Sequence, residues 1–304
     1  AIKQEEKEKQ QLITVVTIIG LLLLAVFAVI IFNRLKLTNK QKIIIEEQKS
    51  EIIDSINYAK RIQEAILPEV ELLESCLNNY FIYYQPKDIV AGDFYWVQKT
   101  AETVVFAVAD CTGHGVPGAM ISVICNNALD RATREYKLTE PDQILNKSRE
   151  IVVEQLNKTR PQKGLKNIKD GMDICLCKLN PKTGELSYAG AYNPLWILRK
   201  GSSEMEILKA NRQPIGRSDK MEPFTGCNTQ LQQGDTIYLF TDGYADQFGG
   251  EKGKKMMSKV FRQLLIDNGD KSLHEQHEIL HNHFNEWKGE IEQIDDVCVM
   301  GVRV

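Results

Sequence analysis

Read for the spacing of apolar and polar positions, the chain falls into three stretches. Leu12 to Phe32, LITVVTIIGLLLLAVFAVIIF, is a run of 21 residues without a charge. A helix needs about 20 such residues to cross the hydrocarbon core of a bilayer. A core helix of a soluble domain would carry a polar face, and this run has none, so a transmembrane helix is expected over 12–32. Residues 1–11 form a juxtamembrane segment in which Glu5, Glu6 and Glu8 offset the lysines. Arg34, Lys36, Lys40 and Lys42 follow the run with no acid among them. Positive charge stays inside, so a single-pass protein of the cell membrane with its C-terminal part in the cytoplasm is expected.

The second stretch, 33–68, reads as a helical linker that ends at Pro68. Ile45, Ile52, Ala59 and Ile66 recur every seven residues, with Ile56 and Ile62 between them. That spacing suits a short coiled-coil seam and a homodimeric stalk; an amphipathic helix lying on its own domain would show a similar stripe.

The third stretch, 69–304, changes to short apolar runs of β character separated by turns. YFIYYQP, DFYWVQK, VVFAVAD, ICLCKLN, GELSYAG, PLWILRKG, MEILKA, DTIYLFTDG and VCVMGVRV read as strands. Helices are expected over Val116–Tyr136, Pro141–Thr159, Lys254–Asp267 and Ser272–Trp287. Strands lead, helices come in pairs and strands resume, which is an α+β order rather than βαβ alternation. The sequence holds no internal repeat.

Charge and cysteine content narrow the class. A net charge of -3 supplies no concentrated basic face, so no nucleic-acid partner is expected. Seven cysteines without CxxC pairs fit reduced thiols in the cytoplasm better than a disulfide framework. The chain begins at Ala1 rather than Met, as a piece of a longer protein would.

The candidate chemistry lies at strand ends. Asp93 in AGDFYW, Asp110 in VVFAVADCTGHG, Asp242 in YLFTDG and Asp295 in IDDVCVM each follow or precede an apolar run, beside Gly or another acid. An apolar strand running into an aspartate delivers a carboxylate to the rim of a buried sheet. Several carboxylates at one rim repel unless a cation neutralises them, and oxygen donors without His or Cys select Mg²⁺ or Mn²⁺. Taken singly, each of these aspartates would pass for a turn or cap residue.

AGDFYW, ADCTGHGVPGAMIS, AYNPLWIL, QPIG, LFTDG and DDVCVMGV, in this order and spacing, resemble the metal-dependent type 2C (PPM) protein serine/threonine phosphatases, and especially their bacterial SpoIIE branch. SINYAKRIQEAILP resembles the helical linker ahead of that domain. The resemblance implies an αββα sandwich of two antiparallel sheets flanked by helices. It implies that Asp110 bridges two divalent ions, Mn or Mg, and that the carbonyl of Cys111 binds one of them. Asp242 and Asp295 would hold the second ion, and Asp93 matches the acid of the first motif. Asp295 is preferred over Asp296 because the family places its ligand first in the closing pattern; Cys298 stands where that pattern has Thr. Two ions sharing a water would present it as hydroxide to a phosphoserine or phosphothreonine phosphorus, with no covalent enzyme intermediate and no cysteine nucleophile. By the same resemblance the substrate would be a phosphoprotein, such as an anti-sigma-factor antagonist of the STAS type.

Other residues keep two readings each. His114 is either a general acid for the leaving oxygen or a loop residue holding the Gly-rich turn. Gly113, Gly115 and Gly118 suit tight turns and close helix packing. His277 and His281 have an i, i+4 spacing that can bind zinc, although a solvated helix face explains it equally. Asp170 and Asp173 form either a turn or a site for a further, weakly held metal. The rival to an enzyme is a metal-poor scaffold acting through its stalk. A membrane histidine kinase would need a phosphoacceptor His on the stalk, and residues 35–67 contain no His.

Overall fold

The computed structural model describes residues 2–100, 102–157, 170–219 and 221–304. By internal contact the chain divides into Ala1–Ser55 and Ile56–Val304. Residues 2–55 of the first unit are helical, part of α1 (Ile2–Glu64). Its apolar side chains from Leu12 to Phe32 are exposed, and the helix is long and apolar enough to cross a membrane. Of the heptad positions, Ile45 and Ile52 are exposed, while Ile56, Ala59 and Ile66 are half-buried. The globular unit begins at Ile56, so the last turns of α1, which the sequence places in the linker, pack as part of it.

The second unit carries α2 (Val70–Cys76) and then two antiparallel sheets. The first sheet orders β1 (Tyr80–Gln85), β13 (Val297–Arg303), β10 (Thr236–Phe240), β6 (Leu195–Leu198) and β7 (Met205–Leu208). The second orders β2 (Phe94–Lys99), β3 (Val104–Cys111), β4 (Gly171–Leu179), β5 (Glu185–Ala191) and β9 (Cys227–Gln230), with β8 (Ile215–Gly216) on β4. Helices α3 (Gly115–Asp130) and α4 (Pro141–Asn157) belong to the second sheet's outer face. Helices α5 (Gly243–Asp246), α6 (Met257–Asp267) and α7 (Leu273–Lys288) belong to the first. Strands β11 (Phe248–Gly249) and β12 (Lys254–Lys255) form a small hairpin.

Alternation along β3 shows why Val104 to Ala109 are all apolar. Val105, Ala107 and Ala109 enter the core under α3 and α4, and Val104, Phe106 and Val108 enter the core between the sheets. Side chains point alternately to opposite faces, so a strand with a layer on each side is apolar at every position until it reaches the rim, where Asp110 stands. A third core of Phe81, Tyr238, Phe240, Phe261 and Phe284 lies between the first sheet and α5–α7. Three stacked cores make four layers, the αββα sandwich expected.

Some boundaries differ from the periodicity. The helix expected over Val116–Tyr136 turns π-helical at Arg131–Glu135, and the expected end at Thr159 lies outside the described residues. The helix expected from Lys254 starts at Met257, because Lys254–Lys255 pair with Phe248–Gly249. Strands of two residues and the one-turn α5 are too short for periodicity to reveal. All seven cysteines are free thiols, and only Cys227 is exposed.

Candidate active site

Four strand ends and two loops meet at one rim of the sandwich. Asp110, near the end of β3, stands opposite Asp173 of β4 in the antiparallel ladder. Burial pushes the Asp110 carboxyl well above the usual carboxylate range, and Asp242, Asp295, Asp173 and Asp296 push it further. Asp173 is raised to about 7 by burial and then by Asp242. Asp242 leads into α5 and is raised by burial, by Asp246 and by Asp295, while Lys255 pulls it back. Asp93 precedes β2 and is almost fully buried; burial raises it first and Asp110 next. Thr241 Oγ1 donates to Asp93 Oδ2 at 2.6 Å, which partly offsets that rise.

The adjacent acids at the start of β13 have separate tasks. Asp296 is a backbone clamp: its Oδ1 accepts from Lys87 N at 2.7 Å and its Oδ2 from Gly92 N at 2.7 Å. Asp295 is half-buried, accepts from Asp296 N at 2.9 Å and faces the other acids electrostatically. Both oxygens of Asp296 are occupied, which leaves Asp295 as the carboxylate of the pair with a free oxygen.

The donor set is all oxygen, suited to hard divalent ions. Yet among the described residues no three His, Cys, Asp or Glu side chains stand close enough to cage an ion as they are. The carboxylates are near enough to raise one another's pKa, as like charges at one rim do.

Backbone approach around the site depends on glycine. A Cβ on Gly118 would lie 2.0 Å from Gly113 O and 3.0 Å from Gly92 Cα. One on Gly92 would lie 2.4 Å from Gly113 O and 3.1 Å from Cys111 O. The Asp93 loop, the turn after β3 and the first turn of α3 therefore touch backbone to backbone. The Cys111 thiol is buried in the outer core, so only the main chain of this residue can face the acids.

His114 precedes α3 and is half exposed. Its Nδ1 lies 2.9 Å from Asp88 Oδ2 and its Nε2 lies 3.1 Å from Lys87 Nζ. A carboxylate only accepts and an ammonium only donates, so the partners assign a neutral ring that donates from Nδ1 and accepts at Nε2. His277 and His281 pack edge-on against Tyr83, and His283 stacks with Tyr244 and Trp287. Asp170, raised by burial, lies just ahead of β4.

Sequence reasoning missed several contributors. Lys87 and Asp88 sit in a polar turn after β1 with no motif to mark them, and Thr241 is marked only as the neighbour of Asp242. Sequence reasoning also dismissed a cysteine nucleophile, although Cys125 and Arg131 do have the Cys-x5-Arg spacing. The structure buries the Cys125 side chain completely on α3 and pairs Arg131 with Glu135, so no phosphate cradle forms there.

The layered fold and this acidic rim define a PP2C-type phosphatase domain. Residues 100–304 match the family of stage II sporulation protein E (SpoIIE), and the chain belongs to that family. It is 26% identical over 201 residues to the phosphoserine phosphatase RsbU of Bacillus subtilis (strain 168), covering 65% of this chain and 55% of that one. The chain thus spans about half the length of this curated relative. The SiaA PP2C domain of Pseudomonas aeruginosa superposes with a TM-score of 0.74 at 33% identity, over 84% of this chain and 98% of that one. The PP2C domain of SpoIIE from Bacillus subtilis, with a fragment of its regulatory domain, gives 0.57 at 17% identity, over 74% and 63%; this last likeness concerns the fold alone. These relatives are PP2C-type serine/threonine phosphatases, which are hydrolases.

Proposed function

We propose that this chain is a membrane-anchored, metal-dependent phosphatase that removes phosphate from serine or threonine of a partner signalling protein. The observation that carries the proposal is the convergence of Asp110, Asp173, Asp242 and Asp295 on one rim: the β3–β4 register sets Asp110 opposite Asp173, Asp242 raises both, and Asp295 raises Asp110 and Asp242. Asp110, Asp242, Asp295 and the Cys111 carbonyl would hold two Mn²⁺ or Mg²⁺ ions, with Asp173 beside them. Bound there, the ions would supply the positive charge and Lewis acidity that attack of water on a phosphoester needs. Asp93, whose Oδ2 accepts from Thr241, would be the further acid of this set, beside Asp110. His114, held between Asp88 and Lys87, has both ring nitrogens engaged, which favours an anchoring role over proton donation. Lys87 brings a cation to the same mouth, where a phosphate would enter.

The name of RsbU, a phosphoserine phosphatase, supports a phosphoprotein substrate; a STAS-type anti-sigma-factor antagonist is the partner proposed by family likeness. The apolar helix supports anchoring in the membrane, with the catalytic unit on the side of Arg34 to Lys42. Exposed Ile45 and Ile52 support pairing of two stalks, and Ile52→Asp with Ile56→Asp should then change both mass and activity.

A second reading, a scaffold with little catalysis, draws on the absence of a ready-made cage of three ligands among the described residues. Phosphate release from a phosphoserine or phosphothreonine peptide, with and without Mn²⁺, separates the two. Turnover that needs Mn²⁺ and disappears in Asp110→Asn and Asp242→Asn is expected. Inert protein that also binds no Mn²⁺ by calorimetry would leave the scaffold.

A further inference from the structure

We propose that Gln63 is a positioning residue for the metal site: it ties the end of α1 to the loop carrying Asp93 and thereby sets how tightly the carboxylates hold divalent ions. The inference rests on the metal-dependent reading above.

Gln63 is an anomaly on its helix. Ile62 beside it is 49% exposed, whereas Gln63, a polar residue, is 4% exposed. Burying a flexible amide costs side-chain entropy and desolvation, so its hydrogen bonds must compensate. They do so completely. Gln63 Oε1 accepts from Ala91 N at 3.1 Å, and Nε2 donates to Ala91 O at 2.5 Å and to Ser122 Oγ at 2.9 Å. The side chain thus pairs with both main-chain groups of one residue, as a neighbouring strand would.

Ala91 is where such a grip matters. The next residue, Gly92, donates to the Asp296 clamp and lies under Gly113 O; the one after is Asp93, held by Thr241. Ser122 Oγ in turn donates to Ala119 O at 2.8 Å, one residue beyond the glycine that packs α3 against Gly113 and Gly92. One amide therefore spans the two segments that frame the acidic rim. Without it, the buried N–H and C=O of Ala91 lose their partners, and the loop must shift to reach water.

The test uses the full chain in detergent micelles, as wild type, Gln63→Met, Ser122→Ala and Asn126→Ala. Methionine keeps the volume of glutamine and removes all three bonds. Asn126 Nδ2 donates to Ile66 O at 3.3 Å, tying α3 to the end of the same segment without touching the Asp93 loop. Mn²⁺ affinity is read by calorimetry and by the Mn²⁺ dependence of peptide dephosphorylation, and melting is read in EDTA. Gln63→Met should weaken Mn²⁺ binding about tenfold or more, the value of one buried hydrogen bond, with kcat at saturating Mn²⁺ little changed. Ser122→Ala should shift affinity less, in the same direction, and Asn126→Ala should not shift it. A lower melting temperature with unchanged Mn²⁺ affinity in Gln63→Met would make the contact merely structural and overturn the inference. If Gln63→Met fails to fold, Gln63→Glu, which keeps the acceptor and loses both donated bonds, gives the same readout. Wild-type protein that binds no Mn²⁺ overturns the metal-dependent reading itself, and this inference with it.

Discussion

Replacing Asp173 with asparagine should make the metal-free protein more stable at neutral pH and less responsive to pH. Asp173 is held by burial and by Asp242 at about 7, against an ordinary value of 3.8. The folded protein therefore binds this proton more tightly than the unfolded chain does. Between about pH 4 and pH 7 folding takes up a proton, so stability falls as pH rises, and above pH 7 the full penalty is present. At about 1.4 kcal/mol per pH unit, the displacement amounts to about 4 kcal/mol of unfavourable free energy for the carboxylate. Asparagine has the same shape and no charge, and relaxation of Asp242 and Asp110 in the wild type reduces the gain, so a stabilisation of about 2–4 kcal/mol is expected. For a domain of this size that is a rise in melting temperature of roughly 4–16 °C. The assay is thermal unfolding in EDTA from pH 5 to pH 8, with wild type and variant side by side. Wild type should melt lower at pH 8 than at pH 5, and Asp173→Asn should flatten that slope. Added Mn²⁺ should restore much of the wild-type deficit, since an ion that binds only the folded state stabilises it. A variant no more stable than wild type at pH 8, or a wild-type curve flat across this range, would refute the electrostatic account of the rim.

Other perturbations separate holding from chemistry. Asp296→Ala should cost about 2–4 kcal/mol in denaturant unfolding, because Lys87 N and Gly92 N lose a charged acceptor. Gly118→Ala places a Cβ 2.0 Å from a main-chain oxygen, so it should destabilise by at least about 2 kcal/mol and cut turnover through the displaced turn. His114→Ala should lower kcat less than about tenfold if the ring only anchors its loop. A loss of roughly 10² or more with a missing alkaline limb in the pH–rate profile would instead make it the general acid.

Much of this was legible in the chain because it depends on local pattern. Asp110 is readable because six apolar residues, Val104 to Ala109, run into it, and Asp242 because only Thr241 separates it from TIYLF. What escaped depends on partners far along the chain. Asp295 and Asp296 are neighbours of one type, and only the amides of Lys87 and Gly92, about 200 residues away, show which carboxylate is the clamp. Asp173 read equally as a turn acid or a metal-site acid, and only the β3–β4 register set it opposite Asp110. The Cys-x5-Arg spacing of Cys125 and Arg131 could be dismissed only once α3 was seen to bury the thiol.

By itself the sequence determined the order of the parts: an apolar helix, its helical continuation, and an α+β domain with aspartates at its strand ends. Hydrophobic period, chain-breaking residues and charge are properties of adjacent residues, and they act before any distant contact forms. Only the tertiary structure decided which carboxylates share a rim, which is spent on backbone amides, and that Gln63 reaches from the end of α1 into the Asp93 loop. Those outcomes rest on strand register and on backbone contact between segments distant in sequence, where a glycine or an amide acts through a partner that the local pattern does not contain.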